Sequence, residues 1–270
     1  MDIITLIGYF GATVIGISLG LIGGGGSILT VPVLVYLLGI TPVLATAYSL
    51  FVVGLTSLAG SVSFMKRGLV DYKTAAVFAV PSFIAVYLTR KFLIPAIPDT
   101  LFSYGSFEVT KDIGIMVFFA LIMLAASFSM IRDRKEKLED QQKGSKEVQF
   151  NYPMIGLEGA FVGTVTGVVG AGGGFLIIPA LVLLARLPMK LAVGTSLLII
   201  AVKSLIGFLG DVNQQEIDWS FMFTFGLFSL VGIFIGSWIS TKIDGKYLKN
   251  GFGWFVLVMA IYIFGTEIFF

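Results

Sequence analysis

Two glycine runs in this 270-residue chain have the composition of a backbone anion-binding site. Successive glycine N–H groups form anion-binding nests, and a helix that begins after them adds unpaired N–H groups and the positive end of its dipole. The residues concerned are Gly23, Gly24, Gly25, Gly26 and Ser27 in the first run and Gly170, Gly172, Gly173 and Gly174 in the second. The runs predict binding of a small anion, and close helix packing through small residues is the alternative.

Hydroxyl side chains lie near the start of the apolar segment that follows each run. They are Thr46 and Ser49 after the first run and Thr195 and Ser196 after the second. Each hydroxyl can donate a hydrogen bond to an oxyanion. Each can instead bond back to a carbonyl of its own helix, so both interpretations stay open.

Charged residues inside apolar segments are the remaining candidates. Lys203 is a functional candidate because a cation within a membrane span is costly, although its ammonium could instead reach an interface. Glu158 is a candidate for proton coupling, although it could lie near the cytoplasmic surface. Asp71 and Asp218 directly precede apolar segments and are interpreted as helix N-caps.

The composition identifies the environment of these residues. Hydrophobic residues make up 57% of the chain, charged residues only 13%, and the mean hydropathy is +0.97. Soluble domains carry about 25% charged residues, so a polytopic membrane protein is predicted. Cysteine and histidine are both absent, which excludes disulfides and Cys/His zinc sites. With acid–base groups so scarce, we expect no enzyme, no cofactor, no metal and no nucleic-acid partner.

Ten apolar segments must position the glycine runs. They cover residues 3–22, 27–39, 42–65, 73–94 and 112–131, then 152–170, 174–186, 189–210, 219–241 and 249–268. Eight approach the roughly 20 residues that a membrane-spanning helix needs. The segments 27–39 and 174–186, which follow the glycines, reach only about 20 Å at 1.5 Å per residue. The sequence leaves open whether these two span or re-enter the membrane.

The two runs belong to an internal duplication. Residues 16–72 align without a gap to residues 163–219, at an offset of 147, with 18 of 57 positions identical. The identities include glycines, a proline, two serines and an aspartate, which chance matching of apolar sequence does not explain. The chain is therefore divided into a first transmembrane repeat at 1–131, a linker at 132–150 and a second transmembrane repeat at 151–270. We expect scattered glycines such as Gly16, Gly60, Gly163 and Gly207 to serve helix packing.

Loop charges predict that the repeats are inverted. The loop after residue 65 carries Lys66, Arg67 and Lys73, whereas the equivalent loop 211–218 carries only acidic charges. The next pair of loops reverses this pattern, with Lys242, Lys246 and Lys249 in the second half. The basic linker 132–150 is placed in the cytoplasm and both termini outside. Inverted repeats are typical of secondary transporters.

The doubled pattern Gly-x-x-Gly-x-Gly-Gly-x5-Pro, at Gly20 to Pro32 and Gly167 to Pro179, resembles the TauE/SafE sulfite exporter family. The second copy departs at Ala171 and Gly174, which puts equal contributions from the two halves in question. The resemblance implies a protein that moves sulfur-containing anions such as sulfite or organosulfonates.

The combined prediction is an all-α polytopic membrane protein with 8–10 transmembrane helices in two inverted repeats of about five segments. We expect a secondary transporter of a small oxyanion in the plasma membrane, working by alternating access, with an anion channel as the alternative. Its expected partners are the oxyanion and the lipid bilayer, and a homodimer is left open.

Overall fold

The computed structural model describes residues 3–104, 107–131, 152–183, 185, 187–240 and 245–269. The predicted cytoplasmic linker 132–150, both chain ends and the loop lysine Lys242 lie outside the described residues. The locations of these segments therefore stay predictions from the sequence.

The first half contains α1 (Ile3–Ile22), a 3-10 helix (Gly23–Leu29), α2 (Thr30–Pro32), a π-helical turn (Val33–Leu37), α3 (Pro42–Lys66), α4 (Tyr72–Leu88), a second π-helical turn (Thr89–Leu93), α5 (Ile94–Ala96) and α6 (Lys111–Ile131). The second half contains α7 (Tyr152–Val169), α8 (Gly174–Leu183), α9 (Met189–Leu209), α10 (Trp219–Ser240) and α11 (Gly245–Phe269). A short antiparallel hairpin, β1 (Thr100–Tyr104) with β2 (Phe107–Thr110), lies between α5 and α6 and was not predicted.

The helices confirm an all-α polytopic membrane protein. Five helical stretches in the described residues are long and apolar enough to cross a membrane: Pro42–Lys66, Tyr72–Ala96, Lys111–Phe128, Lys190–Leu209 and Trp219–Ile239. Four shorter apolar helices accompany them, at Leu6–Ile22, Gly26–Leu37, Pro153–Val169 and Gly253–Glu267. Large apolar side chains such as Phe10, Phe234 and Trp238 stay more than 60% exposed, as expected where lipid is the solvent.

Helices α3 and α9 form the centre of the molecule. Two thirds of each membrane-crossing stretch is buried, against 39% for the other three long stretches. A Cβ atom on Gly54 would lie 2.8 Å from Leu205, and one on Gly60 would lie 3.6 Å from Leu197. The later residue of α3 therefore contacts the earlier residue of α9. The two central helices run antiparallel.

Small residues let the outer helices approach one another at backbone distance. A Cβ atom on Gly16 of α1 would lie 2.0 Å from the Ser229 carbonyl oxygen of α10. A Cβ atom on Gly163 of α7 would lie 2.3 Å from the Ser82 carbonyl oxygen of α4. The predicted packing role of these glycines is confirmed, since any side chain would separate the helices. Each half thus packs its first helix on the fourth apolar segment of the other half.

Helices α4 and α9 run parallel to each other. Near their first turns, the Asp71 N–H donates to Thr195 Oγ1 at 2.9 Å. Near their ends, a Cβ atom on Gly210 would lie 2.9 Å from Arg90 Cβ. Both helices therefore begin at one face of the membrane protein and end at the other.

The predicted N-caps are confirmed. Asp71 Oδ1 accepts a hydrogen bond from the Thr74 N–H at 2.9 Å, and Asp218 Oδ1 accepts one from the Phe221 N–H at 3.0 Å. Each carboxylate satisfies one of the N–H groups that the first turn of α4 or α10 leaves unpaired.

Candidate functional site

Each glycine run reverses the direction of the chain. In the first run Gly23 has a φ of +72°, and Gly26 folds back so closely that a Cβ atom would lie 2.4 Å from the Leu19 backbone nitrogen. In the second run Gly170 has a φ of +73°, and a Cβ atom on Gly173 would lie 2.0 Å from Thr166 Cγ2. Glycine is required here both for the left-handed conformation and for the close approach.

The two reversals differ in shape, which corrects the expectation of two matching helix N-termini. The first run continues as the 3-10 helix Gly23–Leu29, in which Gly23 has a positive φ and Gly26 does not. The second run is an open turn in which Gly170, Gly172 and Gly173 all have positive φ, and α8 begins only at Gly174. A right-handed helix needs negative φ, so the left-handed Gly173 prevents helical continuation and Gly26 does not.

The two runs meet at the middle of the central helices. A Cβ atom on Gly172 would lie 3.3 Å from Ser27 Cβ, 2.5 Å from Val53 Cγ1 and 3.3 Å from Ile200 Cγ2. Val53 is the twelfth residue of α3, and Ile200 is the twelfth residue of α9. The glycine segments of the two halves are therefore in direct contact, far inside the roughly 15 Å that one bilayer leaflet would allow.

Lys203 places a positive charge at this meeting point. Its side chain is fully buried, and its Nζ donates to Thr166 Oγ1 at 2.9 Å. A Cβ atom on Gly173 would lie only 2.8 Å from the same Nζ, so the ammonium contacts the second glycine run directly. Within the described part of the chain, no carboxylate lies within ion-pair distance of this ammonium. A buried charge without a counterion is costly, and an anionic ligand would offset that cost.

The predicted hydroxyl residues divide between the two interpretations. Thr46 packs against Gly170 and donates to the Val43 carbonyl at 2.7 Å, and Ser196 donates to the Val193 carbonyl at 2.8 Å. Thr195 accepts the bond from Asp71 described above. Ser49 is fully buried, and its hydroxyl has no hydrogen-bond partner among the described residues. Ser49 is therefore open as both donor and acceptor, and the Thr195 hydroxyl, which accepts a bond, is still open as a donor.

Thr166 is a site residue that the sequence analysis missed. Its hydroxyl accepts from Lys203 and donates to the Gly163 carbonyl at 3.2 Å, so it orients the ammonium. The available signal was a hydroxyl residue four positions before Gly170 in a mostly apolar helix. Two further buried hydroxyls, Ser57 and Ser204, are equivalent under the offset of 147, and neither has a partner among the residues described.

Glu158 is not brought to the glycine runs. It is half-buried in the second turn of α7, eight residues before Thr166. Eight residues of helix correspond to about 12 Å along the axis. A proton on Glu158 would therefore act on the site from a distance, without contact.

A buried ion pair at the ends of α4 and α9 was also missed. Arg90 Nη1 lies 3.6 Å from Asp211 Oδ2, and both side chains are almost completely buried. Arg90 belongs to the π-helical turn Thr89–Leu93, and Asp211 to the turn that follows α9. The signal was an arginine at the end of an apolar segment, which resembles an ordinary interfacial residue.

Comparison with known proteins agrees with the transmembrane architecture. Residues 9–263 match the family model described as Sulfite exporter TauE/SafE. A probable membrane transporter protein of Xylella fastidiosa (strain 9a5c) is 30% identical over 252 residues, covering 92% of this chain and 90% of that protein. The probable membrane transporter protein YunE of Bacillus subtilis is 30% identical over 237 residues, covering 84% and 85% respectively. No solved structure shows significant similarity to this chain. The chain belongs to the sulfite exporter TauE/SafE family and is a membrane transporter, not an enzyme.

Proposed function

We propose that this transporter exports or exchanges a small sulfur-containing oxyanion, sulfite or an organosulfonate, by alternating access. The observation that carries the proposal is the buried Lys203 ammonium at the point where the two glycine runs meet. It has a hydroxyl partner but no carboxylate partner among the described residues, so its charge is available to an anion.

The chemistry of the surrounding groups favours an oxyanion over a halide. The Ser49 hydroxyl on α3 and the Lys203 ammonium on α9 are donors carried by different helices, whereas the N–H groups of Gly170 and Gly173 already donate to Thr166 and Ala171 carbonyls. Several oxygen atoms on one anion can accept from several such donors at once, each in a charge-assisted hydrogen bond. A spherical chloride ion cannot match separate directions in the same way.

We further propose that the two repeats are inverted, as alternating access in this class of fold requires. The supporting contacts occur in pairs, in which each residue of one contact is replaced by its equivalent at the offset of 147. Gly16 packs on Ser229 while its equivalent Gly163 packs on Ser82, and the equivalent helices α3 and α9 run antiparallel. A pair of inverted repeats can adopt each other's conformations, and this opens the site to one face and then the other.

The proposed orientation follows from the basic loops. Helix α3 ends at Lys66, and α4 and α9 begin near Lys73 and Lys190 on the same face. We assign this face to the cytoplasm of a cell membrane, together with the linker 132–150, and we place both termini outside.

Flux measurements in proteoliposomes test the function. We expect saturable uptake of radiolabelled sulfite, competition by an organosulfonate, and acceleration by unlabelled sulfite on the opposite side of the membrane. Chloride should compete at least tenfold more weakly. A flux that does not saturate and is not stimulated by opposite-side anion would instead assign an anion channel. Equal handling of chloride and sulfite would contradict oxyanion selectivity.

A further inference from the structure

The Arg90–Asp211 pair is balanced in charge but poor in hydrogen bonds. Arg90 is 0% exposed and Asp211 is 1% exposed, and their closest atoms are 3.6 Å apart, beyond hydrogen-bond distance. Nε, Nη1 and Nη2 of Arg90 all lack a hydrogen-bond partner among the residues that the structure describes. Asp211 Oδ2 lacks one as well. A purely structural pair is normally bidentate, because a buried guanidinium needs acceptors for five N–H groups.

Arg90 packs against the same face of α9 that carries Lys203. Lys203, Gly207 and Gly210 are spaced by four and three residues, so they share that face. Gly207 contacts Val86 of α4, and Gly210 contacts Arg90. Seven residues of helix separate Lys203 from Gly210, or about 10 Å. Two buried cations thus follow each other from the middle of the protein toward the face where α4 and α9 end.

We propose that Arg90 is a second binding site for the transported oxyanion, between Lys203 and this face, and that the anion competes with Asp211 for the guanidinium. This inference rests on the proposed function. In the state described, the carboxylate occupies the position that the anion takes during passage. An oxyanion supplies the acceptors that Arg90 lacks, in the bidentate geometry that a guanidinium prefers.

Asp211 is carried by the turn that directly continues α9, where its N–H donates to the Phe208 carbonyl at 2.9 Å. Its carbonyl accepts hydrogen bonds from the N–H groups of Gln214 at 2.9 Å and Gln215 at 3.1 Å, which closes the turn on itself. Gln214 Nε2 donates to the Lys91 carbonyl at 3.0 Å and ties this turn to the π-helical turn Thr89–Leu93. Burial raises the pKa of the Asp211 carboxyl to about 6, and Arg90 opposes this shift, so the carboxylate is ionised at neutral pH. The guanidinium is held by this one ion pair, so an anion that displaces the carboxylate has a single contact to replace.

The second site exists on one face of the protein. Phe64 is the equivalent of Asp211 in the alignment, and continuing the offset of 147 past residue 72 makes Ser237 the equivalent of Arg90, so the other half carries neither charge at these positions. An anion that approaches from the α4/α9 end therefore meets a cation before Lys203, and an anion from the other face does not. Changes at this pair should alter the apparent affinity measured from one side only.

The test compares Asp211→Asn with the double variant Arg90→Gln/Asp211→Asn in right-side-out and everted membrane vesicles. Asp211→Asn removes the competing carboxylate. We therefore expect the sulfite concentration that gives half-maximal transport to fall about tenfold or more at the α4/α9 end and to stay unchanged at the other face. The double variant should show no such gain. Lys91→Gln is the matched control, because Lys91 is an exposed neighbouring cation whose Nζ contacts only the Tyr87 hydroxyl and aromatic rings among the described residues. It should behave like the wild type.

Unfolding in detergent gives an independent measurement if Asp211→Asn is unstable. Sulfite should raise the melting temperature of Asp211→Asn more than that of the wild type, chloride should not, and the double variant should lose this extra stabilisation. Equal sulfite responses of Asp211→Asn and the double variant would overturn the inference. If the wild type itself neither binds nor moves sulfite, the proposed function fails, and these two failures are distinguishable.

Discussion

Replacement of Lys203 by methionine separates the functional role of this residue from a structural one. Methionine keeps an unbranched apolar side chain in the position that is now fully buried, and it removes the ammonium next to Gly173. A hydrogen bond to a charged group contributes roughly 1.5–3 kcal/mol, so sulfite affinity should weaken roughly 10- to 150-fold. Loss of the charged donor to Thr166 costs roughly 1.5–3 kcal/mol by the same principle, and removal of a buried charge without a counterion offsets it. Stability should therefore hold while affinity falls.

The assay is the concentration dependence of sulfite uptake in proteoliposomes, with thermal unfolding of the same preparations. Lys66→Met is the control, because Lys66 is an exposed lysine at the end of α3 and its loss removes an equal charge. It should leave half-saturation within a factor of two of wild type. Unchanged half-saturation in Lys203→Met together with a clearly lowered melting temperature would refute the reasoning, since Lys203 would then be a structural residue.

Three stability predictions follow from the glycines and caps, each measured by thermal unfolding in one detergent. Gly39 has a φ of +67° and no neighbour within 4 Å, so Gly39→Ala should lower the free energy of unfolding by about 1–2 kcal/mol. Gly173→Ala combines a positive φ with a 2.0 Å clash and should lower it further. Equal losses in the two variants would contradict the packing argument. Gly16→Ala should lose about 1–3 kcal/mol by forcing α1 from α10, whereas Gly251→Ala, in an open helical position, should be neutral or stabilising; a stable Gly16→Ala would disprove the close approach. Asp71→Ala should lose about 0.5–2 kcal/mol with its cap and Asp71→Asn much less, and the cap assignment fails if the two are alike.

The membrane fold was predictable because its causes are local. Span length, apolar composition and N-capping aspartates are properties of short segments, so α3, α4, α9 and α10 appear close to where the sequence places them. The hairpin at 100–110 was missed although its residues alternate in a strand-like manner, because the all-α prediction left that loop unassigned.

The contacts between segments were much less predictable. Thr166 belongs to the site only because the packing of α7 and α9 brings its hydroxyl to Lys203. No residue spacing within either helix predicts that contact. Arg90 and Asp211 are 121 positions apart and meet only because α4 and α9 run parallel to a common end. The two glycine runs differ in backbone because Gly173 has a positive φ and its equivalent Gly26 does not, and glycine adopts either sign readily.

The exchange of helix partners between the halves has a consequence for biosynthesis. Helix α1 ends at Ile22, and its partner α10 begins at Trp219, about 200 residues later in the chain. At a translation rate of 5–20 residues per second, α1 waits roughly 10–40 s in the bilayer with its glycine-lined face open to lipid. A ribosome stalled in the second half would leave that face unpaired, and membrane proteases and insertion factors would then encounter the first half as an incomplete protein.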